Sequence, residues 1–304
     1  MRTIRFALAG AVSALVFVIL SLVAHASEPA KSEIDVAFEA AGKVAQHGPA
    51  DVKLGTQATL KLPDGYVYVP TKESGKLLEA MGNRAGDSLL GTIWPAGQSE
   101  EQWFVVVRFV GEGYIKDDDA KDWNADELLQ ALKDGTEQMN KEREARGITP
   151  IEVIGWVEKP HYDAASHQLV WSIASKDKGQ PDTAHQGINY NTYALGREGY
   201  ISMNLVTDRQ MIGQYKSKAT ALLAALGFDE GKRYADFNGS TDKVAAYGLA
   251  ALVGGIAAKK LGLFAALGVF FVKFWKLAAV GAIAAGGAVT KLFKKRKEKP
   301  TTVA

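Results

Sequence analysis

Apolar and polar positions recur along this chain with two different periods, and each change of period marks an element. In "EIDVAFEAAGKVAQHG" (33–48), Ile34, Phe38, Ala41 and Ala45 fall at helical spacing, which predicts a short amphipathic helix ended by Gly48-Pro49. "TQATLKLPDGYVYVP" predicts two short strands about a Pro63-Asp64-Gly65 turn. "KESGKLLEAMG" returns to the helical period and stops at Gly82-Asn83, and "LLGTIWP" is a brief apolar run ending at Pro95. "EQWFVVVRFV" (101–110) is β-branched and aromatic throughout, the composition of a strand buried on both faces.

A longer helix is predicted in "NADELLQALKDGTEQMNKEREARG". Asn124 stands as its cap with Glu127 three residues on, Leu128, Leu132 and Met139 share a face, and Gly147 closes it. Four strands follow: "IEVIGWV", "QLVWSIA", "YNTYALG" and "GYISMNLV", the last two joined by a hairpin link at Arg197–Gly199. In the last strand Ile201, Met203 and Leu205 alternate with Ser202 and Asn204, the pattern of an antiparallel sheet with one wet side. A helix from about Arg209 to Leu226 places Met211, Tyr215, Ala219, Leu222 and Leu226 on one stripe, stopped by Gly227. The class expected is α+β: an antiparallel meander covered by helices, followed by a C-terminal helical membrane segment.

That last segment breaks the pattern. Beyond "FNGSTDK" (237–243) come three almost wholly apolar or small stretches, 244–258, 261–272 and 277–290, interrupted by lysines. None reaches the roughly 18–20 residues of a simple span. On a continuous helix Lys259, Lys273, Lys276 and Lys291 share an arc of roughly 100°. Such a stripe suits headgroups at the interface, the interior of a bundle, or snorkelling from two shorter segments. A mid-bilayer lysine costs roughly 2.5–3.5 kcal/mol, which the surrounding apolar residues offset. Lys294, Lys295, Arg296 and Lys297 then form a cationic end that is retained in the cytoplasm. The pairs Ala250/Gly254, Ala251/Gly255, Gly281/Ala285 and Ala282/Gly286 permit close helix approach, hence a homo-oligomer, or simply fill a poor span.

The N-terminus has the form of an export signal: basic "MRTIR", apolar 6–23, then "AHA" before "SEP". An uncleaved anchor is the alternative, because the apolar run is long. The expected organisation is a signal peptide at 1–26, an extracytoplasmic α+β domain at 27–240, and a helical anchor with a basic cytoplasmic tail at 241–304.

Charge sharpens this division. The net charge of +2 conceals a body (27–240) of net −9 and a tail (241–304) of net +9. An acidic body repels polyanions, so nucleic acid is not an expected partner, whereas membrane lipid is. The absence of cysteine excludes disulfides, thiol chemistry and Cys-ligated zinc.

Candidate chemistry is sparse. "KDDDAKDWNADE" (116–127) opens like a calcium loop, but Lys121 takes a ligand position and Asp122 stands where the turn glycine belongs. The plainer reading is an acidic turn at the start of the following helix. In "HYDAASH", His161, Asp163 and His167 could hold a metal, or form the turn of a hairpin. His185 and His47 have no ligand partner nearby in sequence. No nucleophile elbow, phosphate loop or dinucleotide fingerprint is present, so no reaction is fixed and no cofactor is expected.

Four stretches, "VVRFVGEGYIKDDDAKDWNADELL", "GWVEKPHYDAASHQLVWSI", "YNTYALGREGY" and "FNGSTDKVAAYGLAALVGG", together resemble a bacterial family of uncharacterised membrane-anchored proteins defined by a domain of unknown function. The resemblance implies a signal peptide, an extracytoplasmic domain and a C-terminal membrane segment. It implies no activity, cofactor or catalytic residue. The expected function is a non-enzymatic module on the outer side of the cytoplasmic membrane that binds an envelope protein or ligand. The alternatives are a metal-assisted hydrolase using His161, Asp163 and His167 or the Asp117–Asp122 cluster, and a membrane-perturbing or channel-forming tail.

Overall fold

The computed structural model describes residues 32–97 and 101–254. The N-terminal signal, the lysines from Lys259 onward and the cationic end lie outside them. The elements run α1 (Glu33–Val44), β1 (Gln46–His47), β2 (Ala50–Leu54), β3 (Ala58–Leu62), β4 (Tyr66–Pro70), α2 (Thr71–Ala80), β5 (Leu89–Pro95), β6 (Phe104–Val110), α3 (Ala125–Ala145), β7 (Ile151–Asp163), β8 (Gln168–Asp177), β9 (Gly187–Leu195), β10 (Tyr200–Asp208), α4 (Ile212–Ala224), β11 (Leu226–Phe228) and α5 (Leu249–Gly254). Eight strands form one antiparallel sheet in the order β1-β4-β5-β6-β10-β9-β8-β7, and β11-β3-β2 form a second, small one. Helices flank the large sheet, so the mixed class with a dominant antiparallel sheet is as the pattern predicts. Among the described residues no helix is long and apolar enough to cross a membrane.

Local rules account for several helix ends. Ser32 and Asp35 make a reciprocal cap on α1. Asn124 Oδ1 accepts from the amides of Asp126 and Glu127 at the start of α3. At its far end Gly147 takes a left-handed φ of 66°, and the Ile148 amide reaches back to the Arg143 carbonyl at 2.8 Å. That is the 6→1 closure of a Schellman motif. The Arg209–Leu226 helix, by contrast, ends early. Leu226–Phe228 leave it to pair with Leu60, Thr59 and Ala58 of β3, so Leu226 and Gly227 belong to a strand.

The Pro63-Asp64-Gly65 turn is a corner between sheets. β3 enters the small sheet and β4 the large one. On one face of the large sheet, α4 and the small sheet cover Ile93, Val105, Val107, Ile188, Tyr190, Ile201, Met203 and Leu205. The expected wet side is a second buried face: Ser202 is buried and Asn204 half-buried. Two separate apolar cores lie there. One, with Leu77, Leu78, Val67, Phe104 and Val106, sits under α1 and α2. The other, with Leu128, Leu169, Trp171, Ile173, Tyr193 and Leu249, sits under α3 and α5.

The buried stripe of α3 meets the Leu128–Leu132–Met139 expectation in part, since Leu128 is buried and Leu132 packs against the same core, but it is more polar than expected. Leu128, Thr136, Asn140 and Arg143 are the buried residues. Asn140 explains why a polar stripe is stable. β7 is an edge strand, and Asn140 serves as its missing neighbour: Oδ1 accepts from the Ile151 amide at 2.9 Å and Nδ2 donates to the Ile151 carbonyl at 2.8 Å. Asn140→Ala removes both bonds and leaves two buried backbone groups unpaired. It is expected to lower the unfolding free energy of the full chain by about 2–4 kcal/mol in urea titration. Val36→Ala, on the exposed face of α1, should change it by no more than about 0.5 kcal/mol.

Candidate functional site

The β7–β8 hairpin carries the histidine candidates, and its turn separates them. Asp163 Oδ1 accepts from the Ala165 amide at 2.9 Å and Oδ2 from the Ser166 hydroxyl at 2.7 Å. The Ser166 hydroxyl and the Ala165 amide hold this exposed carboxyl below the usual carboxylate range. Its oxygens are engaged in the turn itself, an Asx arrangement. His161 is exposed on the same side of the strand as Asp163. His167, in a left-handed conformation with φ 53°, turns with Tyr162 toward the face under α3 and α5. The hairpin therefore does not assemble His161, Asp163 and His167. Among the described residues no group of three or more His, Asp or Glu side chains is arranged to hold a metal ion.

His167 instead meets a carboxylate from the other candidate. The Tyr162 hydroxyl donates to Asp117 Oδ2 at 2.7 Å, and His167 Nδ1 lies 3.1 Å from the same hydroxyl and 3.8 Å from Asp117. With the phenolic proton on Asp117, Nδ1–H is the donor to the phenol. Burial first, then the adjacent Asp117, pushes the Tyr162 phenol far above its ordinary range. Tyr162 is thus a fixed donor and not a base. The His167 ring stacks on Tyr234 at 4.1 Å, Tyr234 packs on Tyr114 at 4.4 Å, and Tyr114 stacks on Phe237 at 3.9 Å. The Tyr234 hydroxyl donates to the Ile115 carbonyl at 2.8 Å. Every polar group named here is engaged within the column, so its chemistry is that of a clamp.

What the clamp holds is the segment leading to the apolar tail. The Tyr114 amide donates to the Lys243 carbonyl and the Ala245 amide to the Tyr114 carbonyl, both at 2.8 Å. Gly113 makes this approach possible. At its φ of 104°, a Cβ there would lie 2.5 Å from the Lys243 carbonyl oxygen. Arg197, in the β9–β10 turn, grips Asp242 through two bonds of 2.6 and 2.7 Å. Asp119 belongs to the acidic run but does not serve α3. Its carboxylate accepts from the Leu249 and Ala250 amides, each at 3.0 Å, and so caps α5. Gly248 leaves room for that carboxylate, since a Cβ would stand 2.5 Å from Asp119 Oδ2. Ala251 and Gly254, two of the small residues suited to helix pairing, are buried.

The four quoted stretches converge here: the first supplies Tyr114, Asp117 and Asp119, the second Tyr162 and His167, the third Arg197, and the fourth Asp242 and Leu249. Sequence reading singled out His167 and the acidic run separately. It missed Arg197 and Asp242, whose ion pair joins positions 45 residues apart.

The Arg197 guanidinium, followed by the Asn238 amide, draws the Asp242 carboxyl well below its usual range. A depressed folded-state value means the pair contributes fully above the unfolded value near 4, and its contribution is lost as pH falls through the lower folded value. Asp242→Asn is therefore expected to lower the thermal midpoint at pH 7. The gap to wild type should begin to close below about pH 4 in a pH series of unfolding scans.

Comparison with known proteins places these features. The family model described as a protein of unknown function (DUF2167) matches residues 46–284. No curated protein matches the chain. Among solved structures, cyanobacterial PsbP (CyanoP) from Synechocystis sp. PCC 6803 is similar at 13% identity, covering 57% of this chain and 86% of that chain, with a TM-score of 0.33. A point mutant of the protein Mog1 is similar at 11% identity, covering 59% and 94%, with a TM-score of 0.31. The Ran-binding protein Mog1p of Saccharomyces cerevisiae is similar at 12% identity, covering 59% and 94%, with a TM-score of 0.29.

Proposed function

The chain belongs to the DUF2167 family, and on that premise we propose that it is a binding module held at a membrane by its C-terminal segment. The acidic α+β body lies outside the cytoplasm, and the cationic end stays inside. One observation carries the reading: the segment running into the apolar, lysine-interrupted tail is fastened to the body. Asp119 caps α5, Arg197 grips Asp242, and Tyr114 pairs with the Lys243–Ala245 backbone. A flexible tether needs no such fastening. A body meant to present one surface at a set orientation to lipid does, because fixed attachment removes the orientational freedom that a partner would otherwise have to restrict on binding.

Opposite charge on the two parts supports the same reading. The net +9 of 241–304 suits anionic headgroups, and the net −9 of 27–240 is repelled by them. The export signal and the cationic end together require an odd number of crossings, most simply one. Binding rather than catalysis is favoured because the aromatic column leaves no open nucleophile paired with a base.

The chain has no cysteine, so single reporters can be introduced without background. Ser217→Cys, on the exposed face of α4, is expected to react with a membrane-impermeant maleimide in intact spheroplasts. Lys297→Cys is expected to react only after permeabilisation. Equal labelling of both sites before permeabilisation, or recovery of the chain in the soluble fraction, would sink the proposal.

A further inference from the structure

The second face of the large sheet is divided. Reading across the strands, Trp171, Asn191, Asn204 and Val106 form one row, and Ile173, Asn189, Val206 and Phe104 the next. The outer members of each row belong to the two apolar cores, while the asparagines belong to neither. One repeat further, Ser175 and Asp208 flank Gly187, which places no side chain between them. His185 closes this end, with Nδ1 2.8 Å from Asp208 Oδ2. The three rows span about 14 Å along β9 and β10.

Asn189, Asn191, Ser175 and Asp208 are buried and Asn204 and His185 half-buried, yet the lane is not internally satisfied. Asn204 Nδ2 donates to Asn189 Oδ1 at 2.7 Å, yet Asn204 Oδ1 is buried without a partner among the described residues. Ser175 is fully buried and its hydroxyl has none there either. Buried polar groups are normally paired, and an orphan is a cost that apolar residues would avoid. A polar lane kept between two apolar cores at that cost is the mark of a site whose partner comes from outside.

We propose that the lane formed by Asn189, Asn191, Asn204, Ser175, Asp208 and His185 is a binding site for a neutral polyhydroxyl molecule of the saccharide class. Carboxamides offer a donor and an acceptor on one plane, and a hydroxyl offers both at once, which matches adjacent hydroxyls of a ligand. Asp208 and the acidic body disfavour an anion. The two carboxylates at this end already face basic side chains, Asp208 engaged by His185 and Asp177 beside His185 and Arg143, so the lane has little to hold a further cation. Trp171 and Tyr193 stand at its edge as ring surfaces for the apolar face of such a ring. Burial keeps the His185 imidazole below its usual range, against the pull of Asp208. The site rests on the binding reading above but is independent of the anchoring, and its test is read in micelles, not by topology.

The test uses the full chain in a detergent without a sugar headgroup. Maltose, N-acetylglucosamine, inorganic phosphate and lysine are added separately, each at about 10 mM, several times an assumed millimolar dissociation constant. One or both neutral sugars should raise the thermal midpoint by about 2–4 °C, and phosphate and lysine should not. Asn191→Leu with Asn204→Leu should abolish that shift. Should the double variant not fold, Ser175→Ala decides: it removes the orphan hydroxyl with the least volume change and should weaken sugar binding about two- to twelvefold by titration. No shift with either sugar, an equal shift with phosphate or lysine, or undiminished binding in the variants overturns the proposal.

Discussion

A sheet of eight antiparallel strands has two wide faces to keep from water, and few helices with which to do it. Burying both is the constraint from which the other features follow. On one face α4 and the small sheet suffice, giving a single continuous core. On the other, α1 with α2 and α3 with α5 cover the flanks and leave the centre to polar side chains. α5 completes its flank only because Asp119 satisfies its first amides and Arg197 holds the approach to it. The root of the tail is therefore part of the body's own packing.

The same constraint shapes the edges. β1 is only two residues long, and β7 carries several irregularities of register against β8 together with Pro160. Short length, bulges and proline each blunt a sheet edge against pairing with another chain. Asn140 adds a side-chain partner along one stretch of that edge. Association of copies through the large sheet is disfavoured on both sides.

Much of the fold was legible in the sequence, for reasons that also explain the misses. Phe104–Val110 and the four strands of the second half were readable because β-branched and aromatic runs fit little else. The caps at Asn124 and Gly147 were readable because capping is local. Periodicity, however, names faces and not partners. β3 and β4 were visible as strands, but their division between two sheets was not. Ser202 and Asn204 have the same alternation whether they face water or a polar lane, so the second face was misread. The part played by Asn140 went unread because a side-chain amide serving a strand edge has no sequence signature. The site was less legible still. Asp117, Tyr162 and His167 meet across a fold, and only His167 and the acidic run carried a local signal.

The cap on α5 has a consequence for the order in which the chain matures. Asp119 lies 130 residues ahead of Leu249. At a synthesis rate of roughly 5–20 residues per second, about 7–26 s separate the emergence of the two. The first amides of α5 are satisfied by that distant carboxylate, so the start of the helix is complete only once Asp119 is in place. The entry to the apolar stretch is thus completed by a side chain synthesised long before it, and its geometry is inherited from the part of the body that carries Asp119.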